Sequence, residues 1–445
     1  MAGCGKENNG GPEDNTSPGI SKTQPVNGAT EVPLNTEIMI TYNEIITLGN
    51  AYQITVNYQK VTASVIDSLL YIDYQLEENM DYIVIVSGIS VLDLAKNYGP
   101  AYTFSFSTKK EITTEIKENL AVQNPSPEAV NLYNFLKQNY GEKIISATMA
   151  NVNWNINEAE WVEQHTGKYP AIATFDYVHL QYSPANWIDY SNTGIIEDWW
   201  NNHGIISAGW HWNVPVSEGS EELDFYSVNN LFKASNVTVD GTWEKETADN
   251  DLEKIAGYLK LLQEKNIPVL WRPLHEAAGN VFEYSGGNAW FWWGADGAQA
   301  YKDLWIYMFD YFHDQGLNNL IWVWTTQTKD DPFYPGDEYV DIIGRDIYNN
   351  DDTEAISMEF NSIQAKYPNK IITLSEMGSV ANISAQWSSG AKWSYFMPWY
   401  DYERTINTSG TEFQDTSHDF ADADWWIDAL DSPYVVTRDE MPSLK

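Results

Sequence analysis

The chain has 445 residues, 43% hydrophobic and 14% aromatic, which excludes a collagen-like, low-complexity or largely solvated polymer and supplies material for real cores. Sixty-three acidic against 25 basic residues leave a net charge of −38, so phosphate backbones and anionic lipid surfaces are repelled and nucleic acid is a poor partner. A single cysteine, Cys4, rules out an intrachain disulfide and a cysteine-built metal site. The 20 Trp and 28 Tyr side chains stack well on flat apolar faces, and a neutral sugar is the ligand class they favour.

In chain order, residues 1–22 read as a flexible tether. Met1-Ala2-Gly3-Cys4 lacks the apolar core of a signal peptide, and no run in the chain approaches 18 apolar residues. Ala-Gly-Cys before the polar stretch Gly5 to Lys22 resembles the end of a bacterial lipoprotein signal. That resemblance implies a lipid on Cys4 as the only link to a membrane, and a place on the bacterial cell surface or in the periplasm. Residues 23–109 carry short alternating runs at Glu37–Tyr42, Ser68–Ile72, Tyr82–Val86 and Tyr102–Ser107, separated by turn residues, which predict a small antiparallel sandwich. With Pro25-Val26-Asn27-Gly28-Ala29, Leu76 to Tyr82 and the closing Phe104-Ser105-Phe106-Ser107-Thr108, this part resembles bacterial Ig-like domains. A passive spacer is expected there, because all the tryptophans lie between Trp154 and Trp426.

Residues 110–124 lead through Pro125-Ser126-Pro127 into residues 125–445, where the period changes. Eight apolar runs predict strands: Lys143–Met149, Ala171–Tyr177, Ile205–Trp212, Val269–Glu276, Leu320–Gln327, Asp341–Tyr348, Ile371–Gly378 and Lys392–Pro398. Between them Leu252, Ile255, Leu259 and Leu262, and again Tyr301, Leu304, Met308 and Tyr311, share a helical face. Eight β/α units suit a (β/α)8 TIM barrel. An open doubly wound sheet is the weaker alternative, since no Gly-x-Gly-x-x-Gly turn follows a strand.

In such a barrel the reactive groups sit where the strands run out. Strand three ends Gly209-Trp210-His211-Trp212-Asn213, strand four Trp271-Arg272-Pro273-Leu274-His275-Glu276, strand six Gly344-Arg345-Asp346-Ile347-Tyr348 and strand seven Leu374-Ser375-Glu376-Met377-Gly378. Strand alternation would put Arg272, Leu274 and Glu276 on one face, and Leu374 with Glu376 on another. Two carboxylates converging on one cleft are the minimum kit for glycoside hydrolysis, one kept protonated and one ionised. No cofactor or metal is expected, as His165, His203, His313 and His418 have no ligand spacing.

Arg272-Pro273-Leu274-His275-Glu276, Trp290-Phe291-Trp292-Trp293-Gly294, Leu374-Ser375-Glu376-Met377-Gly378 and the closing Thr437 to Pro442 together resemble glycoside hydrolase family 26, the group dominated by β-mannanases. The resemblance implies Glu276 as acid/base and Glu376 as nucleophile in a retaining mechanism on β-1,4-mannan. It places His211 and His275 beside the scissile bond, Tyr348 on the nucleophile and Trp290 at the cleavage point; Trp293 is taken with the cleft residues, and Arg404 matches loosely an arginine for a distant sugar. Trp292 and Trp293 cannot both face the cleft if they alternate. Asn280 to Ala289, with Phe282, Tyr284, Gly286 and Gly287, is a loop that shorter members lack, so endo or exo action stays open. A β-mannan chain is the expected partner and a monomer the expected state. Relatives acting on mixed-linkage β-glucan or β-1,3-xylan give the rival reading, and a non-catalytic glycan-binding protein a remoter one.

Overall fold

The computed structural model describes residues 14–108, 115–151, 153–180, 188–282 and 287–445; Cys4 with most of the expected tether, and Tyr284 and Gly286 of the loop, lie outside them. The chain divides into two units, Met1–Thr113 and Thr114–Lys445.

In the first, the strands are β1 (Ile20–Gln24), β2 (Ala29–Val32), β3 (Ile38–Tyr42), β4 (Ile46–Leu48), β5 (Ile54–Val56), β6 (Gln59–Lys60), β7 (Thr62–Ile66), β8 (Leu69–Asp73), β9 (Asp81–Val86), β10 (Val91–Asp93) and β11 (Tyr102–Thr108). They make a sheet β1-β3-β8-β7, a second sheet β2-β11-β9-β5-β6 and the pair β4-β10. Alternation chooses the buried face: Ile38, Ile40 and Tyr42 of β3, Tyr82, Val84 and Val86 of β9, and Phe104 and Phe106 of β11 fill one core. The four expected strands are all present. The others escaped the sequence because they are short or, like β7, bury no side chain fully. β1 begins at Ile20, so the last residues of the expected tether are already strand, with Ile20 opposite Tyr42 and Lys22 opposite Thr41.

The second unit is a closed parallel barrel. Its strands and helices in order are α1 (Pro127–Asn139), β12 (Ile144–Met149), α2 (Asn157–Thr166), β13 (Ile172–Asp176), α3 (Gly194–Asn201), β14 (Ile205–Trp210), the hairpin β15 (Val214–Pro215) and β16 (Leu223–Asp224), α4 (Trp243–Gln263), β17 (Val269–Pro273), α5 (Trp292–Ala295), α6 (Ala298–Asp314), β18 (Leu320–Thr326), β19 (Ile342–Asn350), α7 (Thr353–Lys366), β20 (Ile371–Val380), α8 (Ile383–Ser389), β21 (Tyr395–Pro398), α9 (Tyr402–Thr405), α10 (Ala423–Asp431) and β22 (Val435–Val436). The sheet runs β13-β14-β17-β18-β19-β20-β21-β12, and the pairing of β12 with β13 shuts it. β22 adds a further parallel partner to β12.

Every residue of β12, β13, β14, β17 and β18 is buried, as expected of strands covered inside by the barrel core and outside by helices. Helix starts follow from local chemistry: Ser126, Thr242, Asp352 and Asp422 each accept a backbone N–H in the first turn, and Pro127 stands where its missing N–H costs nothing. Leu252, Ile255, Leu259 and Leu262 of α4 are buried, as are Tyr301, Leu304 and Met308 of α6. Residues at the end of the expected 110–124 linker belong to the barrel: Leu120 and Val122 are in its core, and Ala121 N–H donates to Asp341 Oδ1 at 2.6 Å.

Candidate active site

Arg272, on β17, is only 5% exposed, and a guanidinium so deeply placed needs acceptors on every side. Nε donates to Thr325 Oγ1 of β18 at 2.9 Å, Nη1 to Glu376 Oε2 of β20 at 2.9 Å, and Nη2 to Asp346 Oδ2 of β19. Burial alone would weaken its charge, but Asp346 and Glu376 outweigh burial and hold its pKa above the ordinary value. Between β19 and β20 the register passes from Arg345–Leu374 to Asp346–Glu376, leaving Ser375 as an extra residue. Such a bulge re-aims side chains: Ser375 Oγ reaches Asp346 Oδ1 at 2.7 Å while the next residue, Glu376, reaches Arg272. Gly344 makes room, since a Cβ there would stand 2.3 Å from Ser375 Oγ.

Glu376 is an acceptor at both oxygens, because Tyr348 Oη donates to Oε1 at 2.6 Å. Burial and the adjacent carboxylate push the Tyr348 hydroxyl well above its usual pKa, so it stays a donor. Asp346 is pushed up to about 6, by burial first, against the opposing pull of Arg272.

Glu276 arrives differently from the expected alternation. β17 stops at Pro273, and Leu274 (φ 48°) and Glu276 (φ 51°) take left-handed backbone, so the chain turns instead of continuing as a strand. The turn is tied from behind: Tyr301 Oη donates to Leu274 O at 3.0 Å, and Trp293 Nε1 to His275 O at 2.8 Å. Burial first, then the charges of Asp346 and Glu376, drive the Glu276 carboxyl well above the ordinary carboxylate range, against the pull of Arg272. Gln327 Nε2, at the end of β18, donates to Glu276 Oε1 at 3.1 Å.

Two histidines face one another across 4.5 Å, edge to face. His211 is buckled to Asp176, the last residue of β13, through its backbone N–H at 3.0 Å and through Nδ1. Burial pulls its pKa down, but Asp176 outweighs burial and holds it above the ordinary value. His275 goes the other way: burial first, then Arg272 and His211, push it well down, so its ring is neutral. Phe225, Phe291 and Trp399 pack around His211 at ring distances of 5.1, 5.9 and 5.8 Å.

Arg272 and the turn after it thus gather Glu276, Glu376, Tyr348, His211 and His275 at one mouth. Trp290, half-buried, lies over the end of the Glu276 turn, where a Cβ on Gly279 would come within 2.4 Å of its ring. Trp293 is corrected: it is wholly buried, stacked on Phe291 at 4.5 Å, and cannot touch a sugar. Trp292 is buried too, donating to Trp212 O, because both stand on α5, where strand alternation does not apply. Arg404 spends its fork within the chain, on Glu412 O at 3.0 Å and Ser417 Oγ at 2.9 Å. His418 is structural, with Nε2 3.1 Å from Glu158 Oε2 and Nδ1 accepting from Phe420 and Ala421.

Asp176, Asp346, Thr325 and Gln327 were not among the expected site residues. Asp176, Thr325 and Gln327 are at or next to the C-terminal ends of barrel strands, the signal by which they could have been found, whereas Asp346 lies midway along β19 at the bulge.

A model of glycosyl hydrolase family 26 matches residues 122–425, and one of a bacterial Ig-like domain residues 14–108. The chain belongs to glycosyl hydrolase family 26. The family 26 region is similar to the GH26 domain of an endo-beta-mannanase/endo-beta-glucanase from Prevotella bryantii, at 38% identity and a TM-score of 0.67 over 73% of this chain and 99% of that one. A beta-mannanase from a symbiotic protist of the termite Reticulitermes speratus gives 33% and 0.63, covering 74% and 99%. A Piromyces sp. protein named mannan endo-1,4-beta-mannosidase B is 33% identical over 342 residues, 72% of this chain and 56% of the relative. A second from that source, mannosidase A, is 31% identical and matched over 57% of its length, so this chain spans little more than half of these curated relatives.

Proposed function

We propose that the protein is a retaining endo-β-1,4-mannanase. The observation that carries this is the opposed treatment of two carboxyls at one mouth: Glu276 is driven toward its protonated form, while Glu376 accepts from Arg272 and Tyr348 on both oxygens. In the first step a Glu376 oxygen bonds to the anomeric carbon, the glycosidic C–O bond breaks, and the Glu276 proton passes to the leaving oxygen. In the second, Glu276 takes a proton from water as that water's oxygen bonds to the same carbon and releases Glu376. Two displacements restore the starting configuration. The sugar assignment is supported by the curated relatives named mannan endo-1,4-beta-mannosidase, by the Prevotella bryantii protein named an endo-beta-mannanase as well as an endo-beta-glucanase, and by the neutral His275 and the His211–Asp176 pair, which suit sugar hydroxyls.

The test is incubation with mannan, galactomannan, mixed-linkage β-glucan and β-1,3-xylan, with products followed over time. Mixed manno-oligosaccharides appearing early, as the β-anomer by NMR, are expected. Release from glucan or xylan alone would overturn the substrate, and Glu376→Ala with near-normal turnover would overturn the nucleophile.

The reading extends to location, with the protein held at the bacterial surface by a lipid on Cys4; support is the Ala2-Gly3-Cys4 motif and the polar stretch behind it. Labelled fatty acid should enter the protein made in a bacterial host from its full gene, and Cys4→Ser should abolish that labelling.

A further inference from the structure

Glu276 stands in a turn, so the strand ladder that fixes Glu376 does not fix it. The amide of Gln327 meets it at Oε1, and an amide could be inserted either way round. Arg345 makes the choice: its Nη1 lies 2.9 Å from Gln327 Oε1, and since a guanidinium only donates, the amide oxygen must face it and the NH₂ group must face Glu276. Arg345 is itself braced, donating from Nη1 to Thr326 O at 3.2 Å and from Nε to Glu359 of α7. The backbone under Gln327 is pinned as well, its N–H to Asp330 Oδ2 at 2.5 Å and Thr326 Oγ1 to Asp330 Oδ1 at 3.0 Å.

We propose that Gln327, set in one sense by Arg345, is a positioning residue for the acid/base: it assigns the Glu276 proton to Oε2 and supports the carboxylate once that proton has left. This rests on the hydrolase reading above. A donor at Oε1 makes that oxygen an acceptor in both protonation states, so Oε2 is the oxygen whose O–H bond breaks as the leaving oxygen gains the proton. Oε2 then regains a proton from the attacking water in the second step. While protonated, Glu276 also hydrogen-bonds the Asp346 side chain; between the steps it is ionised among like charges, Asp346 and Glu376, with Arg272 the opposing charge and the hydroxyls of Tyr226 and Tyr348 in its field. The Gln327 N–H is a neutral donor that favours the ionised form without adding another charge.

Two variants test this. Gln327→Ala removes the donor; Gln327→Glu keeps the size and the Arg345 contact but turns a carboxylate toward Glu276. The Glu276 carboxyl is followed by ¹³C NMR in protein labelled at glutamate side chains, its signal identified by its loss in Glu276→Gln. The titration midpoint should rise in the order wild type, Gln327→Ala, Gln327→Glu, by about one pH unit or more in the last. The alkaline limb of kcat/KM should move up in the same order, and Gln327→Ala should lose about tenfold on polysaccharide but less on an activated aryl glycoside. Unshifted midpoints in both variants, with an active wild-type protein and unchanged near-UV circular dichroism, would overturn the role of Gln327. A wild-type protein that cleaves none of the β-glycans would instead overturn the hydrolase reading and the acid/base role with it, whatever the midpoints do.

Discussion

Arg272 sets the scale of what single residues do here. One guanidinium holds the two acids Asp346 and Glu376 apart and in place, and truncating it would leave both carboxylates buried with their cation gone. Arg272→Met should therefore cost about 3–5 kcal/mol of stability, read by denaturant unfolding of the barrel, along with activity. The roles of the glutamates separate more cleanly by kinetics. Glu276→Ala should hydrolyse an activated aryl glycoside far better than polysaccharide, because a good leaving group needs little protonation; equal losses on both would remove it as the acid. Because the Glu276 carboxyl must carry its proton in the first step and is pushed up, wild-type activity should persist into a pH range where an ordinary carboxyl is ionised, then fall as pH rises further. Glu276, Glu376 and Tyr348 were named in the sequence through the family resemblance of their motifs, since a glutamate near a strand end is by itself a weak signal; the structure brings the three together, Glu276 by a turn and not along the strand. Trp293 misled because a tryptophan reads the same whether its face or its N–H is used, and here the N–H holds the His275 carbonyl.

Elements in this barrel are joined by polar staples as much as by packing. Asp341, just before β19, accepts from Trp322 N–H at 2.8 Å and from Ala121 N–H at 2.6 Å, so one carboxyl ties β18 and the segment before α1 to the same point. Burial pushes that carboxyl up to about 6, against the pull of its two backbone donors. The folded state thus holds this proton more tightly than the unfolded chain, and the stability it contributes is fully present below about pH 4 and lost as pH rises through about 6. Asp341→Asn removes the titration. The variant should be less stable than wild type at pH 4, and the gap should narrow by up to about 1.4 kcal/mol per pH unit toward pH 6. A gap that stayed constant would sink the assignment. At this scale the eight barrel strands were readable because each opens on apolar residues, even where, as in β19 and β20, it ends on polar ones. The end of β17 was not: the left-handed backbone at Leu274 and Glu276 is dictated by the contacts of the turn with α5 and α6, which no local pattern announces.

For the whole molecule, the division into two units with separate cores predicts that catalysis resides in the second alone. A protein made from residues 115–445 should cleave soluble substrate with kcat/KM within about twofold of the full chain. A larger loss would mean that the Ig-like unit takes part in the reaction.

The pairing of β12 with β21 and β22 carries a consequence for synthesis. Ile144 and Ile145, in the first barrel strand, are held by Tyr434 O and Ser394 O, and Ser146 Oγ donates to Val436 O, partners some 250 to 290 positions downstream. β13 can pair with one edge of β12 early, but a ribosome must pass residue 436 before the other edge obtains both its partners. Until then β12 waits as an apolar ribbon with an open edge, the condition that chaperones exist to guard. A transcript cut short before residue 435 would yield a chain whose opening strand has lost β22, and it should collect in the insoluble fraction.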